Sequence, residues 1–103
     1  MLKMFTNGVD AVIAESEDDA IQVWEEEFDA DWADYSKHFK WRELPNGDDY
    51  TMRFRNIADR VVRDVPLSSI VTEIDEHGNF SLKATVRAWI AQDGRGFFDA
   101  TKE

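Results

Sequence analysis

The chain has 103 residues, a formal net charge of −10 and no cysteine, which excludes a disulfide framework, a thiolate zinc site and a cysteine nucleophile. Apolar residues make up 43% and aromatics 13%, enough for one hydrophobic core and too short a chain for two. Residues 1–103 are therefore read as a single domain, and chain-wide disorder is excluded.

The charge is uneven. Residues 1–50 hold 14 acids against four Lys or Arg, whereas residues 51–103 hold eight against eight. Between Glu15 and Asp34 there are ten carboxylates and no Lys or Arg. Such a field repels a phosphate backbone and attracts basic surfaces, so direct nucleic-acid binding is not expected. No apolar run approaches the roughly 20 residues of a membrane span, and a cytoplasmic protein is expected.

In chain order, the apolar runs Leu2–Phe5 and Ala11–Ala14 flank Asn7-Gly8, a pair suited to positive φ, and predict a first β-hairpin. Ser16-Glu17-Asp18-Asp19 is close to a capping box, with Asp where Glu or Gln is usual, so a helix begins at Glu17. Ala20, Ile21, Trp24 and Phe28 form its apolar stripe, and Asp18, Asp19, Gln22, Glu25, Glu26 and Asp29 fall mainly outside it. Ala30 to His38 lacks clean periodicity and reads as a loop or irregular helical extension.

Phe39–Leu44 and Tyr50–Arg55, separated by Pro45 to Asp49, predict a second hairpin. Tyr50, Met52 and Phe54 share one face of its second strand, and Thr51, Arg53 and Arg55 the other. Residues 56–69 suit a short helix or a strand. Ile70–Asp75 is strand-like, Glu76 to Asn79 a turn, and Phe80–Leu82 the returning strand. Thr85 caps a short helix running through Gln92 and ended by Gly94, and residues 99–103 read as a frayed tail.

The fold class is α+β: a small antiparallel sheet of four to six short strands, one main acidic helix and a short C-terminal helix. Trp24, Phe28, Trp41, Phe54, Ile70, Ile74 and Trp89 are the expected buried residues.

Phe5-Thr6-Asn7-Gly8-Val9-Asp10, the run Ala11 to Ser16 and the acidic helix after it resemble the start of small proteins encoded by phages and prophages. Trp89-Ile90-Ala91 followed by Gly94-Arg95-Gly96-Phe97 resembles their ending. The resemblance covers the two ends of the chain. It implies an accessory phage protein acting in the host cytoplasm, a class that includes inhibitors of host defence, and it carries over no catalytic or binding residues.

The carboxylate run is the strongest chemical signal. Acids spread over a helix face can imitate nucleic-acid phosphates and occupy the basic groove of a nuclease or nucleic-acid-binding complex, with Asp18, Asp19, Glu25, Glu26, Asp29 and Asp31 as the contacting set. The alternative is a solvated face that keeps a small protein soluble, or one neutralised by a basic stripe of Lys40, Arg42, Arg53 and Arg55.

Other chemistry finds less support. Asp29 to Asp34 has acids at short spacing, but Asp34 stands where a calcium loop needs Gly, and Lys40 where it needs Glu. His38 and His77 show no metal-ligand spacing, and Gly94-Arg95-Gly96 follows a helix rather than leading into one. Arg95 between its glycines reads as a partner contact or a structural salt bridge. No catalytic residue, metal or cofactor is assigned, and the chain is expected not to be an enzyme.

Two further readings stay open. Thr85 to Ile90 resembles the recognition helix of small excisionase-like DNA-binding regulators, although it carries only Arg87. A virion structural or assembly role is the other.

Overall fold

The computed structural model describes residues 1–36, 40–55 and 70–100. Their elements are β1 (Lys3–Thr6), β2 (Asp10–Ala14), α1 (Glu17–Phe28), a 3-10 turn (Trp32–Asp34), β3 (Arg42–Leu44), β4 (Asp49–Phe54), β5 (Ile70–Ile74), β6 (Phe80–Thr85), α2 (Val86–Asp93) and β7 (Gly96–Ala100). The architecture is α+β, as the sequence predicts. Its strands divide between two antiparallel sheets, ordered β3-β1-β2-β7 and β4-β6-β5.

The first hairpin forms around Asn7. Its Oδ1 accepts from the amides of Val9 (2.9 Å) and Asp10 (2.7 Å), and Gly8 takes φ 91°. This side-chain turn sets the register Lys3↔Ala14 to Thr6↔Ala11. Every residue of β2 is buried because both faces of the first sheet are covered. Phe5, Val12 and Ala14 pack with Ala20, Val23 and Trp24 of α1, while Met4, Ala11, Ile13 and Phe98 pack with β4, β6 and α2. The layers run α1, first sheet, then second sheet with α2.

The second hairpin does not form. β3 pairs with β1 (Met4↔Leu44, Thr6↔Arg42), and β4 pairs with β6 (Asp49↔Thr85, Phe54↔Phe80). The turn between them closes from Asp48 N to Pro45 O at 3.0 Å, and Gly47 is not among the glycines with positive φ. A turn without that conformation does not follow the strand twist, and here it passes the chain from one sheet to the other. The face assignment within β4 holds: Met52 and Phe54 are buried, Tyr50 is half-buried, and Thr51, Arg53 and Arg55 are exposed.

Both helix starts follow the sequence. Ser16 Oγ accepts from Asp19 N at 3.1 Å, and Thr85 Oγ1 from Ala88 N at 3.1 Å. Gly94 ends α2 with φ 70°. The second sheet anchors α2 through Trp89 Nε1, which donates to Tyr50 O at 2.8 Å, and Val86 N, which donates to Asp48 O at 2.9 Å. Asp75 accepts from the amides of His77 and Asn79 and builds the expected turn into β6.

Three expectations are corrected. Phe28 is 46% exposed, because it ends α1 and meets Phe97 only edge to face. Ile74 is 69% exposed, because β5 is the outer strand of its sheet and its side chain extends past the core that Phe80 opposite it enters. Asp99 and Ala100 are not tail: they pair with Ala11 and Asp10 in β7. Trp24, Trp41, Phe54 and Trp89 are buried as expected. The expectations for the Ile70 side chain, His38, Phe39 and residues 56–69 and 101–103 lie outside the described residues.

Candidate interaction surface

The acidic helix presents its charge by helical geometry. α1 buries Ala20, Val23 and Trp24 against the first sheet, which turns Asp18, Gln22, Glu25, Glu26 and Asp29 outward at spacings of four, three, one and three. A buried hydrogen bond fixes the orientation: Trp24 Nε1 donates to Asp10 Oδ2 at 3.0 Å, tying the helix to the first residue of β2. Asp10 thus acts structurally.

The six carboxylates picked out in the sequence do not act alike. Asp18, Glu26 and Asp29 are exposed on the outward stripe, and Glu26 accepts from Gln22 Nε2 at 3.3 Å. Glu25 is half-buried and accepts from Trp32 N at 2.9 Å, capping the 3-10 turn. Asp31 is exposed and accepts from Ala33 N at 3.0 Å.

Asp19 is already neutralised. Arg95 Nε lies 3.1 and 3.0 Å from its two carboxylate oxygens, and Nη2 completes a forked pair. Asp19 also accepts from Glu15 N at 3.0 Å, so it closes the helix start from its own side chain. The Arg95 hydrogen bond first, and then the Glu15 amide, lower its pKa from 3.8 to about 2 against the opposing effect of burial. Asp19 in turn raises the Arg95 pKa through the same bond. Asp19 therefore belongs to the fold rather than to a free face.

The neutralising cation is thus Arg95, whereas the sequence pointed to Lys40, Arg42, Arg53 and Arg55. Those four do not make one stripe, because the hairpin carrying them is absent. Arg53 and Arg55 stand on the outward side of β4 in the second sheet, with the first sheet between them and α1. Lys40 lines an open groove of about 310 Å³ together with Glu17, Ile21, Trp32, Ser36 and Trp41. Arg42 is exposed on β3.

Sequence reasoning missed the aromatic character of this surface. Trp24 touches Phe28, Trp32 and Tyr35 at centroid distances of 5.3, 5.2 and 5.3 Å, and Trp32 continues to Trp41 at 5.3 Å. Phe28 and Tyr35 are 46% and 41% exposed. The density of Trp, Phe and Tyr between residues 24 and 41 was the available signal, but which rings reach solvent depends on where the sheet ends.

No family model matches the chain, and no curated protein or solved structure matches it. Among the described residues there is no group of three or more side chains able to hold a metal ion, and no helix is long and apolar enough to cross a membrane. The Asp29–Asp34 segment spends its groups locally: Asp29 takes φ 49° as the C-cap of α1, and Asp31 caps the 3-10 turn.

The helix-turn-helix comparison also changes. α2 follows β6 directly, with Thr85 both the last residue of that strand and the N-cap of the helix. Among the described residues, the segment directly before α2 is a strand rather than the first helix of a two-helix DNA-binding unit. Arg87 is an exposed residue on a helix packed by Val86 and Trp89.

Proposed function

We propose that the protein is a non-enzymatic acidic accessory protein, of the kind phages encode. In this reading it binds and inhibits a host nucleic-acid-handling protein by presenting α1 to that protein's Lys- and Arg-rich surface, as an anti-CRISPR or anti-restriction inhibitor would. The observation carrying this reading is the outward stripe of Asp18, Glu26 and Asp29 on a helix whose sequence neighbourhood contains no base. Carboxylates spaced along one face act together over the Debye length of about 8 Å at physiological salt, and they speed encounter with a positive partner.

Asp19, Glu25 and Asp31 support this face by holding its framework. The test replaces the three outward acids by their amides, Asp18→Asn, Glu26→Gln and Asp29→Asn, and measures binding to a basic nuclease complex across a salt series. The expected result is at least about tenfold weaker binding with a flatter salt dependence. Unchanged affinity overturns the electrostatic reading. Retardation of a DNA fragment by the purified protein would instead favour a DNA-binding regulator, and co-purification with particles a virion role.

A further inference from the structure

The C-terminal end of α1 is built against its own stability. Its last turn carries Glu25, Glu26 and Glu27 and no base, where the helix dipole already concentrates negative charge. The C-cap that follows is Asp29 at φ 49°, a left-handed position that ordinarily falls to Gly or Asn. Beside it, Phe28 and Tyr35 leave nearly half their surface in water although both touch the buried Trp24. Charge, backbone and apolar exposure are thus all unfavourable at one place.

The aromatic pair is also held in position. Glu25 accepts from Trp32 N at 2.9 Å, and Tyr35 N donates to Trp32 O at 2.9 Å, which ties the 3-10 turn bearing Tyr35 to the helix bearing Phe28. Phe97 of β7 supports Phe28 from the sheet at 5.4 Å. Rings fixed in advance lose little freedom on binding.

We infer that Phe28 and Tyr35, with the exposed carboxylates of Asp29 and Asp34 next to them in the chain, form the centre of the docking face, and that the partner surface it takes presents arginine rather than lysine. This rests on the reading of α1 as a face for a basic protein. Charge complementarity fixes the sign of the partner, and the rings fix the residue. A guanidinium is planar and weakly hydrated, so it stacks on an aromatic face while its edge forks to a carboxylate; an ammonium pairs only as a compact charge.

The experiment titrates the isotope-labelled protein with oligo-arginine and oligo-lysine peptides of equal length, following amide and indole NMR signals. The expected result is that the arginine peptide binds about fivefold or more tightly, with the largest shifts at residues 25–36 and at the Trp24 indole. The double variant Phe28→Leu, Tyr35→Leu keeps apolar contacts to Trp24. It should lose the arginine preference while retaining lysine-peptide binding, and its unfolding temperature provides the check on folding.

Equal affinity for the two peptides, a preference surviving in the double variant, or shifts centred on Glu17 to Asp19 overturns the inference and leaves the basic-partner reading standing. Failure of both peptides to bind at low salt overturns both. Concentration-dependent self-association abolished by the double variant would assign the face to a second copy and likewise overturn it.

Discussion

Replacing Arg95 by Gln removes the cation that α1 receives from the far end of the chain. Arg95 is the first of the causes that lower the Asp19 pKa from 3.8 to about 2, and the Glu15 amide, which the variant keeps, is the next. The Arg95 side chain is 44% exposed, so water and salt screen the pair, and about 1 kcal/mol is the expected loss at pH 7. For a domain of this size that lowers the unfolding temperature by about 5 °C.

The pH dependence has a definite sign. A carboxylate whose pKa is lower when folded stabilises the fold in full once the unfolded chain is also ionised. For Asp19 the stabilisation is present above its ordinary value of 3.8 and lost as pH falls through about 2. Thermal unfolding of the wild type and Arg95→Gln, followed by circular dichroism from pH 7 to pH 2, should show a gap that narrows in that lower window. Equal stability at pH 7, or a gap undiminished at pH 2, would refute the reasoning. The variant also frees a carboxylate at the start of α1, so its affinity for a basic partner should rise.

Asp10→Ala leaves Trp24 Nε1 buried without its acceptor, which should cost about 1–3 kcal/mol in urea unfolding; Asp10→Asn, which keeps an acceptor, should cost less. Trp89→Phe loses the bond to Tyr50 O, whereas Trp41 Nε1 is buried with no hydrogen-bond partner among the described residues, so Trp89→Phe should destabilise by about 1 kcal/mol more than Trp41→Phe in the same assay. Asp29→Gly relieves both the left-handed backbone of a non-glycine residue and a charge at the wrong helix end, and should raise stability by about 0.5–1 kcal/mol while weakening binding to a basic partner.

The sequence determined what short-range chemistry controls. Ser16 and Thr85 started their helices where their hydroxyls meet free amides, and Gly94 ended α2. Asn7-Gly8 turned the first hairpin, and alternation assigned the two faces of β4. The outward acidic stripe followed from the spacing of Ala20 and Trp24 alone.

Pairings between distant segments were decided only by the tertiary structure. β3 and β4 read as neighbours in sequence, yet each gains more by joining a different sheet, β1 for one and β6 for the other. Which rings of the aromatic run reach water depends on where the first sheet stops beneath α1. The same holds for Asp19, whose partner Arg95 lies 76 residues away. The sequence therefore gave α1 its negative charge, while the fold decided which of those charges remain turned outward, because a carboxylate's availability depends on what the rest of the chain brings beside it.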